Sequence, residues 1–173
     1  MADSTPEISP AARRQMWLEL YEKETPRTLR VLRAYPESNA EFKPHERSST
    51  ALRLAQTFWR ENDVMLRTLR GDTAPGAAPP GTWTEALGAY ERSARDVVDT
   101  VKSAPEEKIS RKTPFGPPGL KLELPVIELM WLMLLDSIHH RGQLAVYVRM
   151  AGGKVPAIYG PSADDSMVST GAG

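Results

Sequence analysis

The chain has 173 residues, 40% hydrophobic and 25% charged, and its 22 basic and 22 acidic side chains cancel to no net charge. This is an ordinary globular composition, which excludes a wholly disordered chain and fits one core. Balanced charge leaves no positive field to gather phosphates, so nucleic acid is not an expected partner. The absence of cysteine removes disulfide frameworks, thiolate metal sites and a cysteine nucleophile together.

The N-terminal MADSTPEISPAARRQ has no apolar stretch of the kind that directs secretion, so a cytoplasmic location is expected. The fifteen prolines cluster, and they leave four long windows at residues 11–35, 45–74, 81–104 and 126–155. The first window carries Trp17, Leu20, Tyr21, Leu29 and Leu32 on an amphipathic surface, with a kink or break expected at Pro26. In the second, Ser48, Ser49 and Thr50 offer N-caps, and Leu54, Phe58, Met65 and Leu69 form a stripe ending at Gly71.

The third window repeats Leu87, Tyr90, Ala94, Val97, Val98 and Val101 at helical steps behind a Thr82–Glu85 capping box. Between the third and fourth windows, FGPPG flanked by LKLEL suggests a short hairpin. The fourth window starts at Pro125 and is apolar nearly all round; Glu128 interrupts its apolar run well short of the ~20 residues a membrane span needs. No membrane is expected, and this helix is expected to be the most buried. The pattern predicts an all-α, antiparallel four-helix bundle as one domain over residues 1–165, with a flexible tail at 166–173.

The chemistry concentrates in LLDSIHHRGQL. On a helix, Asp136 and His140 share a face with Leu132, Met133 and Gln143, while His139 is turned ~100° away. A carboxylate on a core-facing stripe is costly unless compensated, and Asp-x-x-x-His can supply two ligands to a divalent metal. The alternative is a structural pair in which Asp136 accepts from His140 or Arg141. His139 reads as a packing or interhelix hydrogen-bonding residue, and His45 as part of the loop leading into the second helix.

KPHERSSTALRLAQTF and DSIHHRGQLAVYVRMAGGKVPAIYGPSADD, in this order, resemble the DinB-like superfamily of metal-binding four-helix bundles over residues 11–165. The resemblance implies three histidine ligands, one on helix two and two spaced by four residues on the last long helix. Those positions fall here on Thr57, Asp136 and His140, so two of the three histidines are replaced. A hydroxyl is a feeble ligand beside an imidazole, so Zn, Ni or Mn should bind weakly or not at all unless another group substitutes. Glu61, one turn after Thr57, is the candidate substitute.

The resemblance further implies a homodimer and a protein of undetermined activity, a small-molecule-binding or non-catalytic bundle. The alternative is a divalent-metal-dependent transferase or isomerase that uses a low-molecular-weight thiol. The segment VPAIYGPSADD cannot continue the last helix and is expected to fold back, with Ile158 and Tyr159 closing a pocket at His140.

Overall fold

The computed structural model describes residues 8–72, 74–116 and 122–166. All but the first residue of the expected tail, and the FGPPG tip from residue 117 on, lie outside that set. Helix α1 spans Pro10–Ala34; the Ser9 hydroxyl accepts from the Ala12 N–H at 3.2 Å, and Pro10 occupies the first turn, where a missing N–H costs nothing. Of the kink or break expected at Pro26, the break does not occur, because α1 continues through it. Pro26 is exposed, and so is Glu22, the residue whose carbonyl it fails to pair, so water can serve that carbonyl.

A short 3-10 turn, Glu37–Asn39, leads to α2, Ala51–Arg70. Thr50 caps α2 by accepting from Arg53 N–H, and Gly71 ends it at φ 83°, a left-handed conformation that favours glycine. Helix α3, Trp83–Ser103, carries both hydrogen bonds of the expected Thr82–Glu85 capping box. A five-residue helix not foreseen in the sequence, α4, follows at Glu106–Ser110. Strands β1 (Lys112–Phe115) and β2 (Leu122–Pro125) then form the expected antiparallel hairpin, pairing Lys112 with Pro125 and Phe115 with Leu122. Helix α5, Val126–Met150, starts directly after β2.

Helix α2 packs on α3 and α5, and α1 packs on the same two helices, which closes an all-α bundle. The interior is two apolar clusters. One gathers Trp17, Met65, Val97 and Met130; the other gathers Leu32, Phe58, Tyr90 and Leu144. On each long helix the buried polar residues fall between these clusters: Glu24 and Thr28 on α1, Glu61 and Asn62 on α2, Ser93 on α3, Arg141 on α5.

This polar belt is largely satisfied internally. Tyr21 Oη donates to Asn62 at 2.8 Å, Asn62 donates to Ser93 Oγ at 3.0 Å, and Arg141 meets Glu24 at 2.6 Å. Pairing of this kind offsets the cost of stripping water from buried polar groups.

Two further expectations are corrected. Helix α5 is not uniformly buried: Leu132, Leu135, Val146 and Met150 stand on an exposed stripe, with Leu135 55% accessible. Among the described residues no helix is long and apolar enough to cross a membrane. The segment after α5 does fold back, held by an Arg149–Asp164 ion pair at 2.6 Å, yet it does not close a pocket at His140. Tyr159 instead donates to Glu24 Oε2 at 2.7 Å and accepts from Arg141, with its ring against the Arg27 and Arg141 guanidiniums and 62% exposed. Ile158 packs half-buried against the second cluster. The geometry explains the difference: Arg141 is rotated ~100° around α5 from His140, so the returning segment covers the side facing α1.

Candidate metal centre

Asp136 and His140 lie one turn apart on α5, with Oδ2 3.4 Å from Nε2. They sit at the rim of the bundle, not on the core-facing stripe the sequence suggested, since half of the Asp136 side chain is accessible. The desolvated carboxylate is Glu61 of α2, which is 4% exposed. Neither Glu61 oxygen has a hydrogen-bond partner of acceptable geometry. Burial pushes its carboxyl up to about 9; the Asp136 carboxylate beside it adds to the rise, and the nearby Ser137 hydroxyl offsets part of it. One donor atom from each of Glu61, Asp136 and His140 falls within 4.8 Å of the others.

The Thr57 hydroxyl donates to the Arg53 carbonyl at 3.1 Å, a bond within its own helix, and Thr57 lines, together with His140, the concavity beside the cluster. Arg141 does not serve Asp136, because its carboxylate partner is Glu24. His45 is exposed, accepting the Arg47 N–H on Nδ1 at 3.2 Å, away from the cluster. His139 makes its hydrogen bond within α5 and not between helices: its Nε2 lies 2.9 Å from Gln143 Nε2, while Gln143 Oε1 lies 3.1 Å from His140 Nδ1. The sequence places Gln143 on the shared face, and its i, i+3 and i, i+4 spacings to the two imidazoles are the signal of these contacts.

The cluster opens on an open concavity of about 510 Å³ lined by Ser48, Ser49, Thr57, His140, Gln143 and Tyr147, among others. On the other side of Asp136 a more apolar depression of about 420 Å³ is lined by Phe115, Leu132, Leu135 and His139.

The donor set fits a divalent cation on one specific ground. A buried carboxylate with no cationic partner is an unfavourable arrangement by itself, and a cation held together with Asp136 and His140 would compensate it. Two carboxylates and one imidazole suit a harder ion than three imidazoles would.

Fold and site together define an all-α bundle that carries a carboxylate–imidazole cluster between two of its helices. The chain belongs to the DinB family, which it matches over residues 18–170. It is similar in structure to a DinB-like protein of Bacillus cereus ATCC 10987, with a TM-score of 0.65 at 19% identity, over 83% of this chain and 95% of the other. It is also similar to the DinB-like protein YjoA of Bacillus subtilis, with a TM-score of 0.62 at 17% identity, over 79% and 92%. At these identities the likeness establishes the fold. No curated protein matches the chain.

Proposed function

We propose that this DinB-family protein binds a small polar molecule at a cation held by Glu61, Asp136 and His140. The observation that carries the reading is the orphaned, buried Glu61 carboxylate within reach of the other two groups. A cation bound there would supply Lewis acidity toward a carbonyl, a water or an incoming thiol. The chain's own part is to present the donors and shape the approach. Glu61 holds a proton at neutral pH and must release it to a cation, so affinity should rise with pH up to about 9. Ser48, Ser49, Thr57 and Gln143 line the concavity with neutral hydrogen-bonding groups, which favours an uncharged polar ligand over a strongly anionic one.

The oxygen-rich set points to Mn²⁺ or a similar ion in preference to tightly held Zn²⁺ or Ni²⁺. A second copy of the chain is the proposed cover for the exposed α5 stripe. The test of the cation is a titration of untagged, metal-free protein with Mn²⁺, followed by the paramagnetic signal of the free ion. One site in the wild type, lost in both Glu61→Gln and His140→Ala, is the expected outcome. No binding by the wild type, or undiminished binding by Glu61→Gln, overturns it.

A further inference from the structure

We propose that Gln143 is a positioning residue that fixes the tautomer of His140 and so decides whether this imidazole can act as a ligand. The inference rests on the cation reading above, but its first readout does not. Gln143 stands three residues after His140 and four after His139, so on α5 one amide reaches both rings. Its Oε1 lies 3.1 Å from His140 Nδ1 and its Nε2 lies 2.9 Å from His139 Nε2. The rings themselves meet edge-on, with centroids 5.3 Å apart.

The two ends of an amide are not interchangeable. The carbonyl oxygen only accepts, so the His140 nitrogen it faces must carry the hydrogen: Nδ1 is protonated. In a neutral imidazole the lone pair is then on Nε2, the nitrogen turned toward Asp136 at 3.4 Å. That is the ligand-competent form. The amide NH₂ only donates, so His139 Nε2 accepts and the His139 hydrogen is also on Nδ1.

Without Gln143, the acceptor left at His140 is the Asp136 carboxylate, which faces Nε2. It would draw the hydrogen to Nε2 and point an N–H, in place of a lone pair, at the cluster. Gln143 therefore acts against the tautomer that Asp136 alone would select, and the two residues divide the ring between them. A neighbour that fixes the far nitrogen of a ligating histidine typically changes metal affinity by about 10- to 100-fold.

The experiment uses the full chain and two exposed-site variants, Gln143→Leu, which removes the acceptor, and Gln143→Glu, which keeps it. Nitrogen-15 correlation spectra of the metal-free proteins at about pH 8, above the ordinary imidazole range, report the tautomer of His140 directly. The expected result is hydrogen on Nδ1 in the wild type and in Gln143→Glu, and a shift toward Nε2 in Gln143→Leu. Mn²⁺ affinity should fall about 10- to 100-fold in Gln143→Leu and be largely retained in Gln143→Glu.

Hydrogen on Nε2 of His140 in the wild type, or an unchanged tautomer in Gln143→Leu, overturns the proposal. The two readings fail separately. If the tautomer shifts as expected but no protein binds Mn²⁺, the role of Gln143 in setting the ring stands and the cation reading falls. If the wild type binds Mn²⁺ and Gln143→Leu changes neither tautomer nor affinity, the role of Gln143 falls and the cation reading stands.

Discussion

Replacing Glu61 with glutamine separates the charge of this buried group from its shape. In the folded protein its carboxyl titrates at about 9, against 4.5 for an ordinary glutamate. Between those values the folded state keeps a proton that the unfolded chain has lost. Stability must therefore decline as pH rises across that window, with a slope approaching about 1.4 kcal/mol per pH unit for a single group. From about pH 6 to pH 8 the wild type should lose roughly 2 to 3 kcal/mol that Glu61→Gln does not lose.

The assay is urea unfolding of both proteins across that range without metal, taking the difference between them so that other titrating groups cancel. Saturating Mn²⁺ should then restore the wild type by about 2.7 kcal/mol at a hundredfold excess over Kd, and leave the variant unchanged. Parallel pH profiles for the two proteins would show that Glu61 is solvated, and the reasoning from its burial would fail.

Four further outcomes follow from the same structure. Arg141→Met strands Glu24 in the interior and should cost about 3 to 5 kcal/mol in urea unfolding, much of it recovered when Glu24→Leu is added. Burial by itself would raise the Glu24 carboxyl, but hydrogen bonds from Tyr159 and Arg141 and the charges of Arg141 and Arg27 hold it below the usual range. The contribution of Glu24 is therefore complete at neutral pH and is lost as pH falls through its folded value, so acid unfolding of Tyr159→Phe should begin at higher pH than that of the wild type. Gly153→Ala places a Cβ 2.8 Å from the Ala34 carbonyl oxygen and 2.9 Å from Val148 Cγ1, and should lower stability by about 1 to 3 kcal/mol on thermal unfolding. Light scattering at micromolar concentration should give twice the 19.2 kDa of one chain, and Leu135→Glu should return it to one; a single-chain mass for the wild type refutes the dimer.

Much of the bundle was legible because its signals are local. The proline windows bounded the four long helices closely, Thr82–Glu85 named its own cap, and Gly71 marked a helix end that needs a left-handed residue. Pro26 does not end its helix, and the solvent exposure that lets water serve the freed Glu22 carbonyl lowers one part of the proline penalty. The candidate cluster was legible in its residue types but not in its burial. Spacing on α5 paired Asp136 with His140, but spacing cannot say which side of a shared face is wet, so the cost of burial was assigned to Asp136 when Glu61 bears it. Spacing put Gln143 on that same face, but which amide end meets which ring depends on side-chain rotamers that spacing does not fix. The destination of Tyr159 depended on Glu24, 135 residues away in sequence, a separation no periodicity reaches.

The polar belt between the two apolar clusters also restricts how the helices can slide. An all-apolar bundle can shift one helix along its axis by a turn, about 5.4 Å, and still bury hydrocarbon against hydrocarbon. Here such a slip on α1 would carry Glu24 away from Arg141 and set a charge against the methyl and aryl groups of the neighbouring layer. The same slip on α2 would part Asn62 from both Tyr21 and Ser93. The belt thus works as an index mark. It singles out one axial alignment of four helices that hydrophobic packing alone would leave nearly degenerate, and it holds the α2 and α5 donors at matching heights.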